Sequence, residues 1–117
     1  MMNDTTNEAK RDDGTVRSLL GLQGRNALVT GGSRGVGRAV GVMLARAGAN
    51  VGISYRSRDA DARSAVEEIR GHGVHGWAEP GDLTVEGRVD HLFARVDAEF
   101  DGLDIFVGNA GIWPPDS

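Results

Sequence analysis

The chain has no cysteine among its 117 residues. Disulfides and thiolate metal sites are therefore excluded. No apolar run approaches the roughly 20 residues that a membrane-spanning helix needs. Residues 1–15 hold no apolar core and mix acids with Lys10 and Arg11, so they do not read as a secretory signal. A cytoplasmic location is the expectation that remains. Basic residues are outnumbered 13 to 17, and a net charge of −4 argues against a general nucleic-acid binder, which carries a basic surface. The Gly-Lys-Ser/Thr step is also missing. A P-loop needs that step to grip phosphate and magnesium, so nucleoside triphosphate hydrolysis is disfavoured.

Glycine is what the chain has in excess, at 18 residues. Many of these fall where a strand–helix alternation wants turns, which favours an ordered α/β chain over a loop-rich or partly disordered one. Residues 1–20 read as a polar, flexible leader and residues 21–117 as one folded unit. Asn26-Ala27-Leu28-Val29-Thr30 predicts a first strand. From Gly35 the apolar period becomes helical, with Val36, Val40, Met43, Leu44 and Ala47 on one face. Gly48 suits the positive φ that closes such a helix. Residues 51–55 predict a second strand. Residues 59–70 predict a second helix with Ala62, Ala65, Val66 and Ile69 inward, ended by Gly71 and Gly73.

A weaker third strand spans 74–78 and is broken by Pro80-Gly81. Thr84 is placed to N-cap a third helix. Its apolar positions Val85, Val89, Leu92, Phe93, Val96 and Phe100 recur at three- and four-residue steps. Gly102 closes it, and residues 103–107 predict a fourth strand. The alternation β-α-β-α-β-α-β, with short connections, calls for a doubly wound parallel sheet of Rossmann type, truncated after the fourth strand. In the order 3-2-1-4 the last strand would carry an uncovered edge, which invites aggregation.

Four short stretches fall at the carboxyl ends of the predicted strands, the edge where open α/β sheets bind ligands. The first is Thr30-Gly31-x-x-x-Gly35-x-Gly37, whose glycines let backbone N–H groups and a helix N-terminus approach a pyrophosphate. The others are Tyr55-Arg56, Asp82-Leu83 and Asn109-Ala110-Gly111. Each has a plain alternative. Arg34 and Arg56 are read either as phosphate ligands or as solvated surface. Asp82 also suits the positive end of the third helix. Asn109 is alternatively a turn residue, Ser33 a helix-start residue and Tyr55 a packing residue. His72, His75 and His91 form no metal-ligand cluster and are assigned to surface or structure.

An acid after the second strand would bind a ribose 2′-OH and repel a 2′-phosphate. Tyr55 stands there, followed by Arg56, and Arg34 in the glycine turn would reach the same pocket. Two guanidiniums and no carboxylate favour NADP(H) over NAD(H), because the Arg fork fits phosphate oxygens. A methyltransferase of similar architecture would also want an acid at that point.

The Thr-Gly-x-x-x-Gly-x-Gly turn and the string Leu-Asp-Ile-Phe-Val-x-Asn-Ala-Gly over 103–111 together resemble the short-chain dehydrogenase/reductase family. The likeness covers residues 21–117 and points to the branch with ketoacyl reductases and sugar-alcohol dehydrogenases. It implies that Gly31, Gly35 and Gly37 form the diphosphate turn, lined by Ser33 and Arg34, with Val36 toward the nicotinamide. It further implies that Asp82 receives the adenine amino group and that Leu83 supplies backbone contacts. Asn109, Ala110 and Gly111 would lie along the adenosine ribose and the nicotinamide half. Gly108 replaces the first of two asparagines usual in the family, which removes a side-chain tie between strands.

The same resemblance implies hydride transfer between NADP(H) or NAD(H) and a carbonyl or alcohol, served by a Ser and a Tyr-x-x-x-Lys. Tyr55 is the only tyrosine and Lys10 the only lysine, so that motif is not in this sequence. The expectation is the N-terminal, cofactor-binding part of such an oxidoreductase, inactive alone, with a small-molecule substrate in a full-length form. A non-catalytic dinucleotide-binding module is the alternative. Trp113 reads either as a border of the substrate entrance or as a loop anchor. Substrate identity and oligomeric state are not legible.

Overall fold

A computed structural model of the chain describes residues 21–109. The leader over 1–20, and Ala110, Gly111 and Trp113, lie outside the described residues. Asn26–Thr30 forms β1, and all five of its residues are buried. That is the mark of a strand covered on both faces. It pairs in parallel with β2 (Asn50–Tyr55) and β4 (Ile105–Gly108), and β2 pairs in parallel with β3 (Gly76–Pro80). The strand order is β3-β2-β1-β4, as the sequence predicts. Between the strands run α1 (Gly35–Arg46), α2 (Asp59–Arg70) and α3 (Arg88–Glu99). Among the described residues no helix is long and apolar enough to cross a membrane.

Alternation along the strands sends side chains to two cores. Ala27, Val29, Val51 and Ile53 pack with Leu44 and Ala45 of α1 and with Ala65 and Ile69 of α2. On the other face Leu28 and Trp77 pack with Leu92 and Val96 of α3 and with Phe100. Helices thus cover both faces, and the fold is the doubly wound, Rossmann-like one.

Four local expectations need correction. The buried stripe of α1 is Gly37, Gly41, Leu44 and Ala45, while Val36 and Met43 are 71% and 54% exposed. The helix lies so close to the sheet that a Cβ on Gly41 would already touch Val51, Ile53 and Ile69 at 3.6–3.9 Å. Hydrophobic periodicity does not register glycine as an interior residue. The third strand runs two residues later than expected and includes Pro80. As an edge strand β3 tolerates a residue without an N–H, and Gly81 N–H continues the pairing to Tyr55 O at 2.8 Å.

Thr84 does not cap α3. Asp82 Oδ1 accepts from Thr84 N–H at 2.9 Å and from its hydroxyl at 2.6 Å, which makes a side-chain turn. The helix starts only at Arg88, behind Gly87 with φ 89°. Val85 therefore precedes the helix and, with Val89 and Phe93, stays exposed, whereas Leu92, Val96 and Phe100 are buried. Finally, β4 starts at Ile105 rather than at 103, because the Asp104 carboxylate accepts from Asn26 N–H at 2.9 Å ahead of it. Gly48 closes α1 at φ 105°, as expected.

Candidate functional site

A cleft of about 770 Å³ opens at the carboxyl ends of the strands. Four segments build it. The glycine turn contributes Gly31, Ser33, Arg34 and Gly35. The stretch leaving β2 contributes Ser54, Tyr55, Arg56, Ser57 and Arg58. Gly81, Asp82 and Leu83 follow β3, and Asn109 follows β4. Sequence reasoning missed Ser54, Ser57, Arg58 and Gly81. Arg58, two places after Arg56, was the available signal; Ser54 points back into the turn only because of the strand register.

The turn is pinned from both sides. Gly32 N–H donates to Ser54 O at 3.0 Å, and Gly31 N–H donates to Ser54 Oγ at 3.4 Å. Asn109 N–H donates to Thr30 Oγ1 at 2.9 Å and its Nδ2 to Gly31 O at 3.3 Å. Asn109 thus supplies a tie between strand end and turn, although position 108 carries no side chain to make one. Gly37 sits beneath the turn: a Cβ there would lie 2.1 Å from Gly31 O. It is buried and does not line the cleft, and Val36 does not line it either.

The N-terminus of α1 faces this space with its donors open. Its cap residue, Arg34, makes no side-chain cap bond, and the first turn holds no acid. The N–H groups of that turn have no carbonyl partner within the helix, and the helix dipole adds positive potential there. Gly35 has φ 63° with open space where a Cβ would project. An anionic group can therefore approach the backbone, which is the chemistry a pyrophosphate needs.

The far wall is charged. Arg34, Arg56 and Arg58 face a single lining carboxylate, Asp82. Arg56 Nη2 donates to Asp82 Oδ2 at 3.0 Å. The hydroxyl and N–H bonds from Thr84, and then the Arg56 charge, hold the Asp82 carboxyl below its ordinary value. Asp82 lies six residues before Arg88, the first residue of α3, and its carboxylate makes no cap bond to that helix. Tyr55 OH donates to Asp59 Oδ1 at 2.8 Å. Burial, and then that bond, raise the phenol's proton affinity. Among the described residues no group of His, Asp or Glu is arranged to hold a metal ion.

A glycine turn opening a helix at the carboxyl edge of a parallel sheet defines a Rossmann-like α/β protein. Residues 25–117 match the short chain dehydrogenase family. The chain belongs to that family of oxidoreductases, whose members bind NAD or NADP. An uncharacterized oxidoreductase of Schizosaccharomyces pombe is 39% identical over 97 residues, 83% of this chain and 37% of that protein. A 3-oxoacyl-(acyl-carrier-protein) reductase of Staphylococcus aureus is 39% identical over 88 residues, 75% of this chain and 36% of that enzyme. Among solved structures, a Burkholderia cenocepacia short chain dehydrogenase in complex with NADP superposes with TM-score 0.75 at 43% identity, over 80% of this chain and 38% of that one. The chain thus spans little more than a third of the length of these relatives.

Proposed function

We propose that this chain is the cofactor-binding part of an NADP(H)-dependent short-chain oxidoreductase that moves a hydride to or from a carbonyl or alcohol substrate. The observation that carries the cofactor choice is the wall after β2: three arginines line the cleft and no carboxylate stands at the strand end. Guanidinium forks suit a ribose 2′-phosphate, and an acid there would suit a free 2′-OH instead. The open N-terminus of α1 supports a pyrophosphate beside Gly31 and Gly35. Ser33 and Leu83 supply polar and apolar wall, and Asn109 fixes the floor. Val36, with Ala110 and Gly111, is assigned to the nicotinamide side on the family likeness alone. The Burkholderia cenocepacia neighbour crystallised with NADP supports the same choice.

Calorimetric titration of the full chain tests it. NADPH is expected to bind at least about tenfold tighter than NADH, the scale of one hydrogen bond to a charged group. Equal affinities overturn the NADP(H) assignment, and binding of neither overturns the cofactor reading.

The 117 residues contain no Tyr-x-x-x-Lys, so the proposal assigns the general acid to sequence outside them. A positioned general acid contributes ~10²–10⁴-fold in rate. Purified chain mixed with NADPH and a panel of ketones is expected to show no oxidation at 340 nm above the buffer rate. Sustained turnover would refute that part.

A further inference from the structure

The sheet ends on one side at β3, and the outward groups of that strand are already engaged. His75 O accepts from Val51 N–H at 2.9 Å, and Gly81 N–H donates to Tyr55 O at 2.8 Å. Peptide groups alternate in direction along a strand, so Trp77 and Glu79 also turn toward β2. Gly76, Ala78 and Pro80 turn away from the sheet, where no strand pairs with them among the described residues. Bare groups in that position invite a further strand. Here Arg70 Nε donates to Gly76 O at 2.9 Å, and Arg95 Nη1 donates to Ala78 O at 3.2 Å. The two arginines reach the edge from opposite faces, one from α2 and one from α3. Pro80, the next outward residue, has no N–H to offer. Arg95 is itself held by Glu79 Oε1 and Glu99 Oε2, each at 2.9 Å, and lies against the Trp77 ring. Pulling it away would leave both carboxylates without their guanidinium, a costly loss for part-buried charged groups.

We propose that Arg70 and Arg95, with Pro80, close the outer edge of β3 to strand addition, so that the sheet of one copy of this chain does not continue into the β3 of a second copy. A strand arriving there must donate N–H groups to Gly76 O and Ala78 O. Both carbonyls are taken, and both guanidiniums lie in its path. The closure belongs to two side chains and not to the strand, whose outward peptide groups would otherwise be open apart from the missing donor of Pro80.

The test is the weight-average mass of the full chain and its variants, read by light scattering at matched concentrations, with circular dichroism to show that each is folded. Arg70→Ala/Arg95→Ala is expected to raise the mass above wild type, toward about double, because like edges pair about a two-fold axis. Adding Ala78→Pro is expected to reverse the rise. That change removes an outward N–H and leaves the bonds to β2 in place, as proline on an edge strand can. Arg95 also fastens α3, so Arg70→Ala alone decides the matter if the double variant fails to fold. It frees Gly76 O and is expected to give a smaller rise that Ala78→Pro again reverses. A folded variant that keeps the wild-type mass overturns the proposal. A rise that survives Ala78→Pro in a folded protein overturns it as well, because the association then does not run through the β3 edge.

Discussion

At the scale of single residues, two glycines of the same turn are needed for different reasons. Gly37 is held by space, since a Cβ would meet Gly31 O at 2.1 Å and Asn109 Nδ2 at 2.6 Å. Gly35 is held by its backbone, at φ 63° with nothing in the way. Gly37→Ala is expected to destabilise the fold by about 1–3 kcal/mol, the range for overpacking, and to abolish NADPH binding by prising the turn open. Gly35→Ala is expected to cost about 1–2 kcal/mol, the left-handed penalty alone. Thermal denaturation with parallel titration compares them, and a Gly37→Ala protein that binds like wild type would contradict the packing argument. The spacing of these glycines was legible in the sequence. Their separate physical causes were not, because the partner of Gly37 lies on the turn that it supports. Arg34, Arg56 and Asp82 were legible as a group by their position after strands. The ion pair between Arg56 and Asp82 was not, since it forms across 26 residues.

At the scale of elements, α3 and β3 are fastened by charge as well as by packing. Arg95 bonds Glu79 Oε1 and Glu99 Oε2, each at 2.9 Å, and its guanidinium lies 5.1 Å from the centre of the Trp77 ring. His75 Nε2 meets Glu99 Oε1 at 2.8 Å. Burial opposes the Arg95 charge, but the bonds to Glu99 and Glu79 outweigh it and raise its proton affinity. The bonds from Arg95, and then from His75, lower the proton affinity of Glu99. Because the folded value is depressed, the unfolded chain binds more protons as acid is added. This contribution is full above the ordinary glutamate value of 4.5 and drains away as pH falls through the lower folded value. Urea denaturation at a series of pH values is expected to show stability falling in that window, with a shallower fall in Arg95→Gln. Identical slopes in the two proteins would remove the clamp from the account. The limits of α2 were legible from its periodicity and closing glycines. The start of α3 was not, because Asp82 spends its carboxylate on Thr84 and delays the helix. The inner face of α1 was hidden for another reason: its closest contacts are made by glycines.

At the scale of the whole molecule, the strand order was legible from alternation and from the right-handedness of parallel crossovers. What the order leaves open is the outer edge of β4, which pairs with no other strand among the described residues. Phe106 on that strand is 52% exposed and Phe93 of α3 is 39% exposed, with ring centres 6.4 Å apart. Edges of this kind template association. Purified chain is expected to scatter more light per unit mass as concentration rises, and Phe106→Lys is expected to suppress the rise. An unchanged profile in the variant would clear this edge. The bonds of Asn109 to Thr30 and Gly31 carry a consequence in time. They join points 79 and 78 residues apart. A ribosome must therefore deliver residue 109 before these two ties can form, and a nascent intermediate lacking β4 holds the glycine turn from the Ser54 side alone.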